Sequence, residues 1–599
     1  MKLNTKLNFC FLIISLLFLT NCKDDDTEIS APTIDNKANL TIEISFEFNN
    51  SKVTVGDVLV IIEPGNHSQK TDSNGVAIFK NLPLGVYTIK SVEEIEITQK
   101  DDLTVALNQE NKYELTLNEL LGPGNPIKDI EPTLENLELN LFASYSPLNE
   151  LYDAFNIPFL DDLGSDIINI PYNTSSNDFD QLHFYNFTAS NEKINTIWNK
   201  NYQGIFQTNN SLELASKISA NNIQNLNSLI GELRFLRALY YFNLVKYFEN
   251  PAISKSADTT LLVDSNPKDI YELIVSDLIF SQNNILESQS KIKLSANAAT
   301  ALLGKVYLQM SGAPLNDKST IQLALNEFEK IENEYNLETN YKDVFDFRNE
   351  AINNEIIFSV SFENDLSQDQ WGNSNTTSGF LGNQWFGPKD ITDISFIHVE
   401  TNFIESFLNT KPNADNVIKH PIITNDSRFS LNIATYKKVF DNIENTDDVS
   451  EWRANKYLPE DLAKNGEVAR GVDFPYLRYA DMLLMIAEAE CQLNGVTSKA
   501  LESLNLVRRR AYQSADFDIK NNISKEELLD IILEERRKEL CYEGHRRADL
   551  IRFGKLKETI QKIDQSKTDK RNFEDFKRAW PIPQSEIDNN PNLKQNGGY

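Results

Sequence analysis

Five consecutive residues, Gly122-Pro123-Gly124-Asn125-Pro126, limit this chain more than any other stretch. Proline lacks the backbone donor and glycine lacks steric restraint, so neither a strand ladder nor a helix continues through such a run. A domain boundary belongs there. Before it the apolar residues recur with period two, and beyond about Glu131 they recur with the helical period. The chain is therefore read as a small all-β body over 38–120, a linker over 121–130 and a mainly α body over 131–599.

In the first body Leu40, Ile42, Ile44 and Phe46 alternate with polar residues, and Val58–Ile62 and Val86–Ile89 supply further strands. Asn74-Gly75 provides the positive backbone dihedral of a tight turn, and Pro83 with Gly85 marks the next reversal. Asp72, Gly75, Leu82, Gly85 and Tyr87 stand where the carboxypeptidase regulatory-like family has its signature residues. That resemblance implies a seven-stranded immunoglobulin-like sandwich acting as a spacer or docking module. Asp72 and Asn74 either close a plain turn, the preferred reading, or hold calcium.

In the second body Leu233, Leu236, Tyr240, Leu244 and Tyr247 form one apolar stripe, and Ala299, Leu302, Leu303, Val306 and Met310 form another. Tyr479, Met482, Leu483 and Ile486 make a third, Asn494-Gly495 breaks the helix, and Ala500, Leu504, Val507 and Ala511 make a fourth. Amphipathic helices joined in pairs by short turns predict a tetratricopeptide-like scaffold of stacked helical pairs. Between about Asn353 and Pro475 the helical pattern weakens. Glu355–Phe362 reads as a strand, and the residues after it are rich in Gly, Asn and Ser. Irregular insertions on a rigid scaffold are where ligand-binding residues concentrate.

At the start of the chain Lys2 and Lys6 precede an apolar run, Leu7 to Leu19, which ends in Thr20-Asn21-Cys22 and a Lys23-Asp24-Asp25-Asp26 tract. The run is too short to span a bilayer and has the flanks of an export signal, giving a signal peptide over 1–21 and a flexible tether over 22–37. Cys22 is the candidate lipid attachment residue, since each buried methylene of an acyl chain contributes about 0.8 kcal/mol of anchoring. The alternative is an ordinary cleaved signal in which Cys22 has no role. The acidic tract resembles the signal that sends lipoproteins of Bacteroidetes-type bacteria to the outer face of the outer membrane.

A formal charge of -30 excludes nucleic acid as a partner and disfavours polyanions, so neutral or cationic ligands fit better. Cys491 and Cys541 lie in helix-like segments without the Cys/His spacing of a metal site, and they are either small core residues or a disulfide pair. No metal and no cofactor are expected.

Five segments in register resemble the SusD/RagB family of outer-membrane lipoproteins. They are Gly231–Val245 (GELRFLRALYYFNLV), Leu477–Ala489 (LRYADMLLMIAEA), Asn505–Ala511, Glu534–Gly554 (EERRKELCYEGHRRADLIRFG), and the ending Trp580-Pro581-Ile582-Pro583 with Asn590–Tyr599. Gly597 replaces the proline more usual in that ending, and the sandwich before Gly122 is foreign to the family's pattern. The resemblance implies a cell-surface receptor, anchored by lipid in the outer membrane, that captures an oligosaccharide or polysaccharide. It also implies delivery of that ligand to a SusC-like TonB-dependent barrel. Peptide or glycopeptide cargo is the alternative that the RagB branch suggests.

A sugar ring presents apolar C–H faces edged by hydroxyls, so its binder needs flat aromatics beside short hydrogen-bonding side chains. Trp371, Phe380, Trp385 and Phe386 stand without helical or strand period in a stretch of Gly, Asn, Ser and Thr, and are the first candidates. Tyr172, Asn173, Phe184 and Tyr185 form a second group, because in the family this region and the mid-chain insertion face the ligand together. The charged run Glu534 to Arg552 reads as a structural lattice, with Glu534–Lys538 and Glu543–Arg546/Arg547 as its pairs and His545 inside it. No HExxH, GxSxG or Walker-type motif is present, and no enzyme is expected. A surface glycosidase built on paired carboxylates is the remaining catalytic alternative.

Overall fold

The computed structural model describes residues 37–48, 51–54, 59–63, 67–72, 76–92, 95–96, 103–105, 111–116, 131–153, 155–170, 177–219, 223–254, 265–286, 294–346, 348–349, 353–362, 387–389, 397–408, 410–439, 442–458, 473–565, 567, 570–590 and 592–599. The signal, the Gly/Pro linker and the tether up to Asn36 lie outside them, while Lys37, the last tether residue expected, already belongs to the first strand. The chain divides into two compact units after Leu120, apart from Glu47–Lys52, which groups with the second.

The first unit is all β. Strands β1 (Lys37–Phe48), β2 (Ser51–Thr54), β5 (Val76–Pro83) and β9 (Lys112–Thr116) form one sheet, in the order β2-β1-β5 with β9 parallel to β1. Strands β3 (Leu59–Glu63), β4 (His67–Lys70), β6 (Gly85–Val92), β7 (Ile95–Glu96) and β8 (Leu103–Val105) form the other. The period-two residues Leu40 and Ile42 of one sheet and Val60 and Ile62 of the other are buried, so both sheets feed the interior. Seven strands were expected and nine are found among the described residues, the surplus being short segments such as the two-residue β7. Asp72 Oδ1 accepts the Val76 N–H at 3.0 Å, and Asn74 and Gly75 of the expected turn lie outside the described residues.

The second unit is a helical array. Its principal helices are α1 (Leu134–Leu151), α2 (Glu192–Lys217), α3 (Ile223–Phe248), α4 (Pro267–Asn284), α5 (Ala296–Met310), α6 (Thr320–Ile331), α7 (Tyr479–Asn494), α8 (Ser498–Tyr512), α9 (Lys525–Glu539) and the short α10 (Arg546–Arg552). Each helix from α1 to α8 packs on the next, in the manner of stacked helical pairs. The order holds even between α6 and α7, across the whole insertion. Local chemistry sets the ends. Thr133, Asn191, Asn266, Ser295 and Thr497 cap the N-termini of α1, α2, α4, α5 and α8 with side-chain acceptors, and Ser524 with Glu527 makes a capping box on α9. Helix α7 stops where Gly495 adopts φ 80°. No helix among the described residues is long and apolar enough to cross a membrane.

Close approach of α2 and α3 depends on Gly204. A Cβ there would lie 2.3 Å from the Tyr240 ring, whose buried hydroxyl donates to Ser144 O on α1 at 2.7 Å. Gly204→Ala is therefore expected to lower stability by about 1–3 kcal/mol through overpacking. A urea midpoint equal to that of the wild type would show that the three helices can separate freely.

Candidate functional site

The insertion is rooted on a ribbon of very short strands. Strand β10 (Ile168–Asn169) pairs with β12 (His398–Val399), β12 with β16 (Arg453–Ala454), and β16 with β13 (Ile433–Ala434). A second pair, β11 (Ile356–Val360) with β17 (Phe474–Arg478), leads into α7, and a hairpin of β14 (Tyr436–Val439) and β15 (Asn442–Asn445) stands beside the ribbon in the chain. Side chains alternate across the ribbon as strands require. Ile168, Ile170, Ile397, Val399, Ile433, Trp452 and Ala454 are buried, whereas the cross-strand row Asn169–His398–Arg453 is polar.

The β10–β12 pairing is antiparallel, with Ile168 opposite Val399 and Asn169 opposite His398. The end of β10, from which the chain runs on to Tyr172 and Asn173, thus lies beside the start of β12, into which the segment carrying Trp371, Phe380, Trp385 and Phe386 feeds. Those six residues, like Cys22, lie outside the described residues. The described residues that follow the second segment, 387–389, bridge through Lys389 to Lys437 of β14.

Hydrogen bonds fasten the ribbon at one place and the base of the insertion at another. Lys567 Nζ donates to Asn169 Oδ1 at 3.0 Å and to Glu400 Oε1 at 2.7 Å, joining β10 to the residue after β12, and Arg571 donates to the same Glu400 oxygen at 2.5 Å. At the other end Asp473 accepts the Phe362 N–H at 2.8 Å and the Ser361 hydroxyl at 3.0 Å. Burial, and then the nearby Arg453, lower the His398 imidazole to about 4, so the polar row presents a neutral ring at pH 7.

Phe184 and Tyr185 are corrected to packing positions. Phe184 is buried with its ring against His183 at 4.7 Å, and Tyr185 is 1% exposed with its ring edge-on to Phe573 at 5.0 Å. Residues 177–183 form a short helix with Phe179 and Leu182 in the core, and Phe184 and Tyr185 lie beyond its end, Tyr185 with φ 56°.

Beneath the insertion lies a buried lattice of charges on α9 and α10. The expected lattice exists, but its pairs differ. Glu534 meets Arg537 at 3.4 Å, and Lys538 donates to Ser406 O at 2.5 Å. Glu543 binds Lys456 at 2.6 Å and Arg478 at 2.7 Å, Arg546 binds Asp166 at 2.7 Å, and Arg547 donates to the carbonyls of Lys577 and Arg578. These charges face the core, where a low dielectric demands several close partners drawn from other elements. Arg478 is the hub, bound to Glu355 at 2.8 Å, Glu539 at 2.6 Å and Glu543 at 2.7 Å. Burial alone would raise the Glu539 carboxyl, yet Arg510, Arg478 and Arg428 together hold it far below the usual range. Glu355 sits just before β11, Arg478 ends β17 and Arg428 precedes β13, so the lattice clamps the base of the insertion to α8 and α9. Glu355, Glu539 and Glu543 are engaged by cations and out of contact with solvent, and offer no acid for glycoside hydrolysis. His545 lies within it as expected, its Nδ1 3.3 Å from Lys305 Nζ. Cys491 and Cys541 are free thiols, pushed up by burial to about 11 and about 12.

Residues 354–599 match the sequence model of the SusD family, and residues 145–308 match one described as starch-binding, associating with the outer membrane. A SusD-like protein of Formosa agariphila is 25% identical over 486 residues, which is 75% of this chain and 89% of that protein. The crystal structure of a SusD homologue from Bacteroides thetaiotaomicron superposes with a TM-score of 0.66 at 23% identity, covering 78% of this chain and 97% of that one. Surface glycan-binding protein A from Bacteroides thetaiotaomicron, solved with laminarihexaose, gives 0.62 at 21% identity over 77% of this chain and 99% of that one. The residues matched by the two sequence models all lie in the helical unit.

Proposed function

This chain belongs to the SusD family, and we propose that it is a cell-surface glycan-binding lipoprotein which captures oligosaccharide or polysaccharide for a SusC-like TonB-dependent barrel. The family is one of carbohydrate-binding proteins and not of enzymes. Cys22 carries the lipid in this reading, the body faces the cell exterior, and the N-terminal β unit acts as a spacer or docking module. The observation that supports the binding role is the pairing of β10 with β12, which sets Asn169, shortly before Tyr172 in the chain, opposite His398 of the mid-chain insertion. A floor clamped by ion pairs is the rigid support that a stacking site needs. The relatives' descriptions, starch-binding and glycan-binding, point the same way.

Retention of the ectodomain in gels cast with neutral polysaccharides tests the proposal. Trp371→Ala with Trp385→Ala is expected to weaken binding by about 30-fold or more, the loss of roughly 2 kcal/mol at an aromatic anchor. Retention of the double variant equal to that of the wild type would remove these residues from the site. Binding of peptides or glycopeptides, with no polysaccharide retained, would assign the cargo to the alternative class.

A further inference from the structure

Lys389 stands three residues after Phe386 and four after Trp385, and there the chain leaving that segment is fastened. Its backbone bridges in parallel to Lys437 of β14, with its carbonyl accepting the Lys438 N–H at 3.1 Å. Gly387 and Pro388, just before it, are buried. The Lys389 ammonium donates to Glu451 Oε1 at 2.9 Å. The other oxygen of that carboxylate, Oε2, accepts from Lys437 Nζ at 2.5 Å and from the Thr446 hydroxyl at 2.7 Å. One carboxylate thus joins residues 387–389, the β14–β15 hairpin and the turn before β16.

Glu451 is itself rigidly held. It closes a single 3₁₀ turn, Val449–Glu451, whose start is capped by Asp448, which accepts the Ser450 N–H at 2.9 Å and hydroxyl at 2.7 Å. Trp452, the next residue, is fully buried and its indole N–H donates to Thr446 O at 2.8 Å. Arg453 and Ala454 then form β16, an inner strand of the ribbon. The Lys437 ammonium first, with the Thr446 hydroxyl and the Lys389 ammonium, holds the Glu451 carboxyl at about 2 against burial, so the clamp is charged at neutral pH. The side chains of Glu451, Lys437 and Lys389 are 20%, 27% and 31% exposed, and pairs so placed add little to global stability.

We propose that Glu451 is a positioning residue for glycan binding, holding through Lys389 the segment that carries Trp385 and Phe386. The inference rests on the binding role proposed above for those aromatics. Three or four residues of chain reach at most about 11 or 14 Å, so fixing Lys389 restricts the volume open to either residue. Ordering a segment before the ligand arrives removes part of the conformational cost of binding.

The test is a double-mutant cycle on the full mature chain, read as retention in gels cast with soluble starch and with laminarin. Glu451→Gln, which keeps the shape and removes the charge, is expected to weaken retention about 5-fold while leaving the urea midpoint at the wild-type value. In Trp385→Ala the same change is expected to add no further loss, since the ring it positions is gone. The gap between wild type and Glu451→Gln should also narrow as sodium chloride rises, a dependence that a neutral ligand does not itself confer. Retention of Glu451→Gln equal to that of the wild type while Trp385→Ala weakens it overturns the inference and leaves the proposed function standing. Equal losses from Glu451→Gln with and without Trp385 do the same. Wild-type protein retained by neither polysaccharide overturns both. Should Glu451→Gln fail to fold, Lys389→Met carries the same cycle from the other side of the pair.

Discussion

Replacing Arg478 by methionine is expected to destabilise the helical unit by about 3–5 kcal/mol, the usual consequence of removing one partner from a buried ionic network. Arg478 has 1% of its side chain exposed and holds Glu355, Glu539 and Glu543, which are themselves fully buried. Without the guanidinium these three carboxylates keep Arg510, Arg428 and Lys456 but lose their shared contact, and the uncompensated negative charge has no route to water. Urea unfolding followed by circular dichroism measures the loss. Arg478→Met combined with Glu539→Gln should recover part of it, because the second change removes one of the stranded charges. A loss below about 1 kcal/mol for Arg478→Met would be the behaviour of an exposed pair and would refute the role of hub. Because Arg478 ends β17 and Glu355 precedes β11, the same variant should loosen the base of the insertion and weaken ligand retention along with stability.

The second large effect is expected on acidification. Burial first, followed by neighbouring cations, holds the imidazoles of His183 and His545 well below their ordinary value, and that of His398 at about 4. A group whose folded value is depressed binds its proton more readily when unfolded. Its contribution is therefore complete above about pH 6.5 and is lost as pH falls, at up to about 1.4 kcal/mol per pH unit for each imidazole kept neutral. A second window opens below about pH 4, where Asp166, Asp481 and Glu539, held far below the carboxylate range, and Asp549, held at about 2, begin to lose their advantage. Asp162, Asp473 and Glu586, whose values are raised by burial, act in the opposite sense. The urea midpoint should fall between pH 7 and pH 5, before the carboxylates titrate, and fall less steeply in His545→Gln. A midpoint constant over that interval would show that these imidazoles are charged or exposed in the folded chain.

The candidate site was legible to the extent that its residues are marked by composition. Trp371 and Trp385 stand out because nothing around them has a period, and a run of Gly, Asn and Ser is a poor core. Tyr185 is a different case: it lies just past the short helix that buries Phe179 and Leu182, adopts φ 56°, and packs against Phe573, a residue from a distant segment. The clamp between Lys567, Asn169 and Glu400 left no trace in the sequence, since its three members come from separate segments.

Where helices begin and end, which faces they bury and where the chain changes class are all legible from residues in order, because caps, turns and periodicity act over a few positions at a time. Asn494-Gly495 ends α7 for reasons contained within one turn of helix, and the charged run on α9 and α10 announces a lattice by its composition. Which charges meet is another matter. Glu543 reaches Lys456 and Arg478, and Arg546 reaches Asp166, because the array of helices brings those elements together and a dry interior selects the partners. The same folding sets β10 beside β12 and closes α6 onto α7 across the insertion. Such contacts are fixed by packing between segments that share no local pattern, so only the folded chain reveals them.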